Sequence, residues 1–214
     1  MPSLVEELQR DALNGTVPSS DLLRKALVVA TKLNLVEFRI WVECELEGYP
    51  AGDVPEYRQT SGQVYFFNPV TGPRPVLFPD REIAEGLSSY DYHEAIGLIE
   101  ELASADDSCE LVVPFSANAQ RLLLAQYQIK PGLPQLHISR MSAVAIVHAI
   151  RNIILKWSLK LEQDGILGDG LSFSSEEKQK AAKEATTLGN PILFIVNSAI
   201  QHNSPGASQR SQHG

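Results

Sequence analysis

Residues 142–163 carry Val144, Val147, Ile150, Ile154, Trp157 and Leu161 along one helical face, with Ala143, Ile146, Ala149 and Ile153 widening it. A surface helix shows a narrower apolar stripe, so this long helix is expected at the centre of the fold, with other layers packed on it. Everything else in the chain has to supply partners for that face.

Three shorter helical stretches precede it. Leu4, Leu8 and Ala12 repeat at the helical period, Ser3 and Glu6 have the spacing of a capping box, and Asn14-Gly15 stops the helix. Ser19-Ser20-Asp21 opens a second helix with Leu22, Leu23, Ala26, Leu27 and Ala30 as its apolar side, interrupted at Asn34. Residues 35–47 continue as a third, with Phe38, Trp41, Val42 and Leu46 inward and Gly48 as its stop. Short connections between them predict an N-terminal helical layer.

From Pro50 the texture changes. Tyr57, Val64, Tyr65, Phe66 and Phe67 favour extended chain over 56–69, with a further strand expected at 76–78. Helices are predicted from Asp80 toward Leu87, over 92–103 and over 118–127, and strands over 110–114 and 135–138. A last helix starts after Ser174, with Glu176 and Glu177 at its positive end. The fold class is therefore α+β: an N-terminal helical layer, a small mixed β-sheet, a long central helix, and a C-terminal β-strand at 191–196 with a polar tail. Residues 1–188 read as one domain, and 189–214 as that strand and an Asn/Ser/Gln-rich tail.

The chain has 214 residues and a formal net charge of −8, which opposes a polyphosphate backbone and disfavours general nucleic-acid binding. Two cysteines, Cys44 and Cys109, are too few for a disulfide scaffold and have no zinc spacing, so they read as thiols in a reducing compartment. The N-terminus lacks a basic and apolar leader pattern, and no apolar run is expected to span a bilayer. The reading is a cytoplasmic protein without membrane, metal or cofactor.

No nucleotide-binding glycine loop is found; Gly165, Gly168 and Gly170 sit in a loop without the Lys-Ser/Thr ending. Glu43, Glu45 and Glu47 alternate around the third helix and cannot converge on one metal, so they read as a solvated surface, with Glu45 near Trp41 the one of interest. His93 and His137 have no spaced ligand partner. On the long helix, His148, Arg151 and Asn152 share a polar row at i, i+3 and i+4, with Arg140 just before the helix. These four form a candidate anion site, set against the plainer reading of an exposed helix edge.

Several segments together resemble the AbiTii domain family of bacterial abortive-infection systems. They are residues 4–13, Asp21-Leu22-Leu23-Arg24-Lys25-Ala26, and above all Trp41-Val42-Glu43-Cys44-Glu45-Leu46-Glu47-Gly48-Tyr49 followed by Val54-Pro55-Glu56-Tyr57-Arg58. Phe173-Ser174-Ser175-Glu176-Glu177-Lys178 is similar to a later helix start of that family. The resemblance implies a role in abortive infection, in which the infected cell halts or dies before phage is released. It carries over no catalytic residues. Physically, the signature Trp41, Glu45, Gly48, Tyr49, Pro55, Tyr57 and Arg58 reads as a fixed helix-to-strand junction, with Arg58 able to pair with Glu45 or Glu56. Two functions are consistent with this. One is a non-enzymatic module that binds a protein partner or itself, through 192–209. The other is a toxic nucleotide or RNA hydrolase with Glu45, Arg58, His148 and Arg151 gathered in a cleft.

Overall fold

The structure, a computed structural model, describes residues 3–68, 70–106, 109–127 and 133–187. In chain order, α1 (Leu4–Leu13), α2 (Ser19–Leu33) and α3 (Val36–Glu47) come first. A 3₁₀ turn at Glu56–Arg58 leads into β1 (Gln59–Ser61), β2 (Gln63–Asn68) and β3 (Gly72–Pro75). Then follow α4 (Arg81–Ser88), β4 (Ser89–Asp91), α5 (Ile96–Ser104), β5 (Glu110–Pro114), α6 (Ala117–Tyr127) and β6 (Leu133–Ser139). The described chain finishes with α7 (Arg140–Gln163) and α8 (Ser175–Thr187). These elements divide into two compact units. One holds the residues up to Gly48, Ala95–Gly97 and those from His148; the other holds Tyr49–Glu94 and Leu98–Val147.

The helical unit is built as its local signals dictate. Ser3 Oγ accepts the Glu6 N–H at 3.1 Å and the Glu6 carboxylate accepts the Ser3 N–H at 2.9 Å, which completes the expected capping box. Asn34 ends α2 in the left-handed region at φ 58°, and Gly48 ends α3 at φ 99°. The predicted apolar faces are inside: Leu8, Leu22, Leu23, Ala26, Ile150, Ile153 and Ile154 are all fully buried. Phe38 stacks on Trp157 with ring centroids 3.8 Å apart, and Trp41 lies tilted 5.1 Å from Phe38. Such ring pairs stabilise by about 0.5–1.5 kcal/mol beyond the area they bury.

A second capping box closes the loop ahead of α8. Glu177 accepts the Ser174 N–H at 2.8 Å on one carboxylate oxygen, and the Leu167 and Gly168 N–H groups at 3.0 and 2.8 Å on the other. Its own N–H donates to Ser174 Oγ. Although burial acts to raise its pKa, these donors, led by the Gly168 N–H, hold the Glu177 carboxyl below its ordinary value. A depressed folded-state pKa stabilises fully above the unfolded value, and the effect is lost as pH falls through the folded one. Glu177→Gln, with a single acceptor oxygen left, should cost about 1–2 kcal/mol in urea unfolding at pH 7. The gap between variant and parent should close on acidification below about pH 4; a gap that is the same at pH 7 and pH 3 would contradict this account.

Among the described residues of the second unit every strand pairing is antiparallel, which corrects the expectation of a mixed sheet. β1 pairs with β4, and the larger sheet has the order β3-β2-β6-β5. Val64, Phe66, Leu136 and Ile138 form its buried face. Several boundaries also differ from the sequence reading, among them the start of the helix predicted over 92–103, which lies at Ile96. The strand expected at 76–78 lies at Gly72–Pro75, because Asn68 Oδ1 accepts the Val70 and Thr71 N–H groups and Gly72 takes φ 78°, so pairing resumes at once after a tight turn. Glu56–Arg58 forms a turn where extended chain was predicted, and residues 89–91 form a strand that was missed. Between β1 and β2, a Cβ on Gly62 would collide with the His137 carbonyl oxygen, so this close approach requires glycine.

α7 gives its residues up to Val147 to the sheet-bearing unit and those from His148 to the helical one. At 24 residues it is long and apolar enough to cross a membrane by length and composition, contrary to the expectation that no run is. The same stripe is what a core helix needs, and Ala143, Ile146, Ile150, Ile153 and Ile154 are buried by protein. The strand predicted at 191–196 and the tail after it lie outside the described residues.

Candidate functional site

The sheet-bearing unit contains a clasp built from two chain segments, 49–61 and 89–94. β1 and β4 pair Gln59 with Asp91, Thr60 with Tyr90 and Ser61 with Ser89. The pairing is extended by backbone bonds: Tyr92 N–H donates to Arg58 O at 2.9 Å and Tyr49 N–H to His93 O at 2.8 Å. His93 Nδ1 lies 3.2 Å from the Pro50 carbonyl oxygen. Pro55 starts the 3₁₀ turn, and its carbonyl accepts the Arg58 N–H at 2.8 Å.

That turn aims Arg58 inward. Its side chain is completely buried, and Nη1 donates to the carbonyls of Tyr92 at 2.9 Å and Glu94 at 2.8 Å. The guanidinium lies over the Tyr49 ring, 4.8 Å from its centroid. A buried charge is tolerable only when hydrogen-bonded, and a planar guanidinium can both stack and donate. Around this centre, Tyr90 Oη donates to Glu94 Oε1 at 2.7 Å and the Tyr90 and Tyr92 rings meet edge to face at 5.0 Å. Burial, then the Glu94 carboxylate, pushes the Tyr90 phenol well above its ordinary pKa, so it stays a donor. Tyr92 Oη is 2.8 Å from Ser142 Oγ, which donates to Ser139 O at 2.8 Å. This chain ties the clasp to the start of α7.

In the helical unit, Trp41 and Glu45 sit on α3. Glu45 is fully buried, contrary to its reading as part of a solvated surface, whereas Glu47 is exposed and Glu43 pairs with Arg39 at 3.3 Å. Glu56 is exposed and Tyr57 half-buried.

A model of the AbiTii family matches residues 3–186. The chain belongs to the AbiTii family. No curated protein and no solved structure matches it. AbiTii is an abortive-infection domain, and membership ties the chain to phage defence. The match takes in Trp41, Glu45, Gly48, Tyr49, Pro55, Tyr57 and Arg58, which sequence comparison singled out.

The four residues read as an anion site are placed differently from one another. Arg151 directs its guanidinium at the end of α1 and the following loop: Nη2 donates to the carbonyls of Asp11, Ala12 and Asn14, and Nη1 to Val17 O at 2.6 Å. Arg140 Nη1 donates to Ala103 O at 2.7 Å, in the last turn of α5, where a cation offsets the helix dipole. His148 and Asn152 are exposed on α7. Among the described residues no cluster of three or more His, Cys, Asp or Glu is arranged to hold a metal.

Sequence reasoning missed Tyr90, Tyr92, Glu94 and Ser142 as partners of the AbiTii clasp. The alternation Ser89-Tyr90-Asp91-Tyr92 was a strand signal, masked by the helical pattern that follows it.

Proposed function

We propose that this AbiTii protein acts in phage defence as a non-enzymatic interaction module that associates with itself through its C-terminal segment. The supporting observation is the use to which the family signature puts its charge: Arg58 is turned away from solvent and bonded to the carbonyls of Tyr92 and Glu94. A catalytic or anion-binding arginine keeps donors free for its ligand; here Nη1 is committed to two backbone carbonyls that join the segments. The association part rests on the apolar β-forming run Ile192-Leu193-Phe194-Ile195-Val196 and the amide-rich tail that follows it.

Two measurements test the proposal. Light scattering should give a mass above the monomer for the full chain, and a monomer for a chain ending at 189 and for full-length Phe194→Asp. A monomer in all three ends the association reading. In a phage challenge, His148→Ala, altered only at an exposed side chain, should protect cells as the parent does. A folded His148→Ala protein that no longer protects would instead favour the effector enzyme.

A further inference from the structure

If the chain associates through 192–196, that run needs a sheet edge to receive it, and the two edges of the larger sheet differ. Outer strand β3 has proline at two of its four positions, Pro73 and Pro75, and an exposed arginine, Arg74. Proline offers no N–H, and charged or proline-bearing edges are the usual protection against strand addition. β5 is less protected: its charge, Glu110, and its proline, Pro114, stand at its two ends, and Leu111, Val112 and Val113 between them carry neither. Among the described residues β5 pairs with β6 alone. Its one charge, Glu110, lies 2.9 Å from His137 Nδ1, and Val112 is 42% exposed.

We infer that the outer edge of β5, unpaired among the described residues, is the docking site for residues 192–196 of a second copy of this chain, added as a further strand. The inference rests on the self-association reading above. Lengths agree, since the five β-forming residues of the run match the five of β5. The run carries no charge, and the prolines and arginine of β3 leave β5 as the edge better able to exchange backbone hydrogen bonds, over 110–113. Donor run and acceptor edge are different surfaces, so a reciprocal exchange closes a dimer, whereas a one-way exchange lengthens a filament.

Hydrogen exchange of the full chain, measured above and below the concentration at which scattering reports dissociation, tests this. In the associated state, amides within 111–113 should slow about tenfold or more, with those of β3 unchanged. An associated protein whose β5 exchange is unaltered, or whose β3 is protected instead, overturns the edge assignment and leaves self-association standing. Protection of β5 that persists in the dissociated monomer overturns the second copy in favour of the chain's own run. A chain that is monomeric at all concentrations removes the association reading itself. As a second arm, full-length Val112→Lys should keep the parent's circular dichroism and raise the dissociation constant about tenfold or more; unchanged association would also overturn the proposal.

Discussion

Arg58→Ala is expected to leave little folded protein. The substitution removes a completely buried guanidinium and with it the donor to the Tyr92 and Glu94 carbonyls. It also empties the space over the Tyr49 ring. Leaving the Tyr92 and Glu94 carbonyls without this donor costs about 1–3 kcal/mol each, and the emptied space adds to it, against a total stability of about 5–15 kcal/mol for an ordinary domain. Urea unfolding followed by circular dichroism should show a sharply lowered midpoint, or the variant should accumulate as insoluble protein. Arg58→Lys keeps a charge that can reach a carbonyl but loses the flat stack, and should fall between the two. A folded Arg58→Ala with a parental midpoint would show that the clasp does not depend on this residue. If that protein also failed to protect against phage, the signature would be a site and not a joint.

The next largest loss is expected at Arg151. Its side chain gathers the carbonyls of Asp11, Ala12, Asn14 and Val17, so it caps the end of α1 and fixes the loop that leads into α2. Arg151→Ala should destabilise by about 2–4 kcal/mol, since helix-end acceptors and a loop lose a charged donor together. His148→Ala and Asn152→Ala, from the same helix row, should each stay within about 0.5 kcal/mol of the parent, as exposed substitutions do. Thermal or urea unfolding of the three side by side is the measurement. Equal effects at all three positions would restore the view of a shared polar surface.

The contrast between these positions shows what the sequence makes legible. Local signals are legible: the Ser3–Glu6 box, the break at Asn34, Gly48 at the end of α3, and the stripe of α7 each depend on neighbours within a turn or two. Periodicity put Arg151 on the polar face of its helix. It could not tell that so long a side chain reaches carbonyls about 135 residues away in sequence. The sequence marks Arg58 as a junction residue, but arginine is rarely buried, and its partners Tyr92 and Glu94 lie within 92–103, where the pattern predicts a helix that in fact begins at Ile96. The β3 register was missed because two prolines argue against a strand unless it is known to be an edge. Glu177 was assigned to the dipole of α8, while its grip on Leu167 and Gly168 depends on the fold of the intervening loop.

The bonds of Arg151 also bear on the order in which a ribosome delivers this protein. α1 and the turn after it emerge early, yet the guanidinium that satisfies their carbonyls is translated more than a hundred residues later. During that interval those oxygens lack the guanidinium, and Asp11 and Asn14 have only the local N–H groups of Asn14 and Val17 on theirs. The amino-terminal layer therefore reaches its final form only when synthesis has passed the middle of α7.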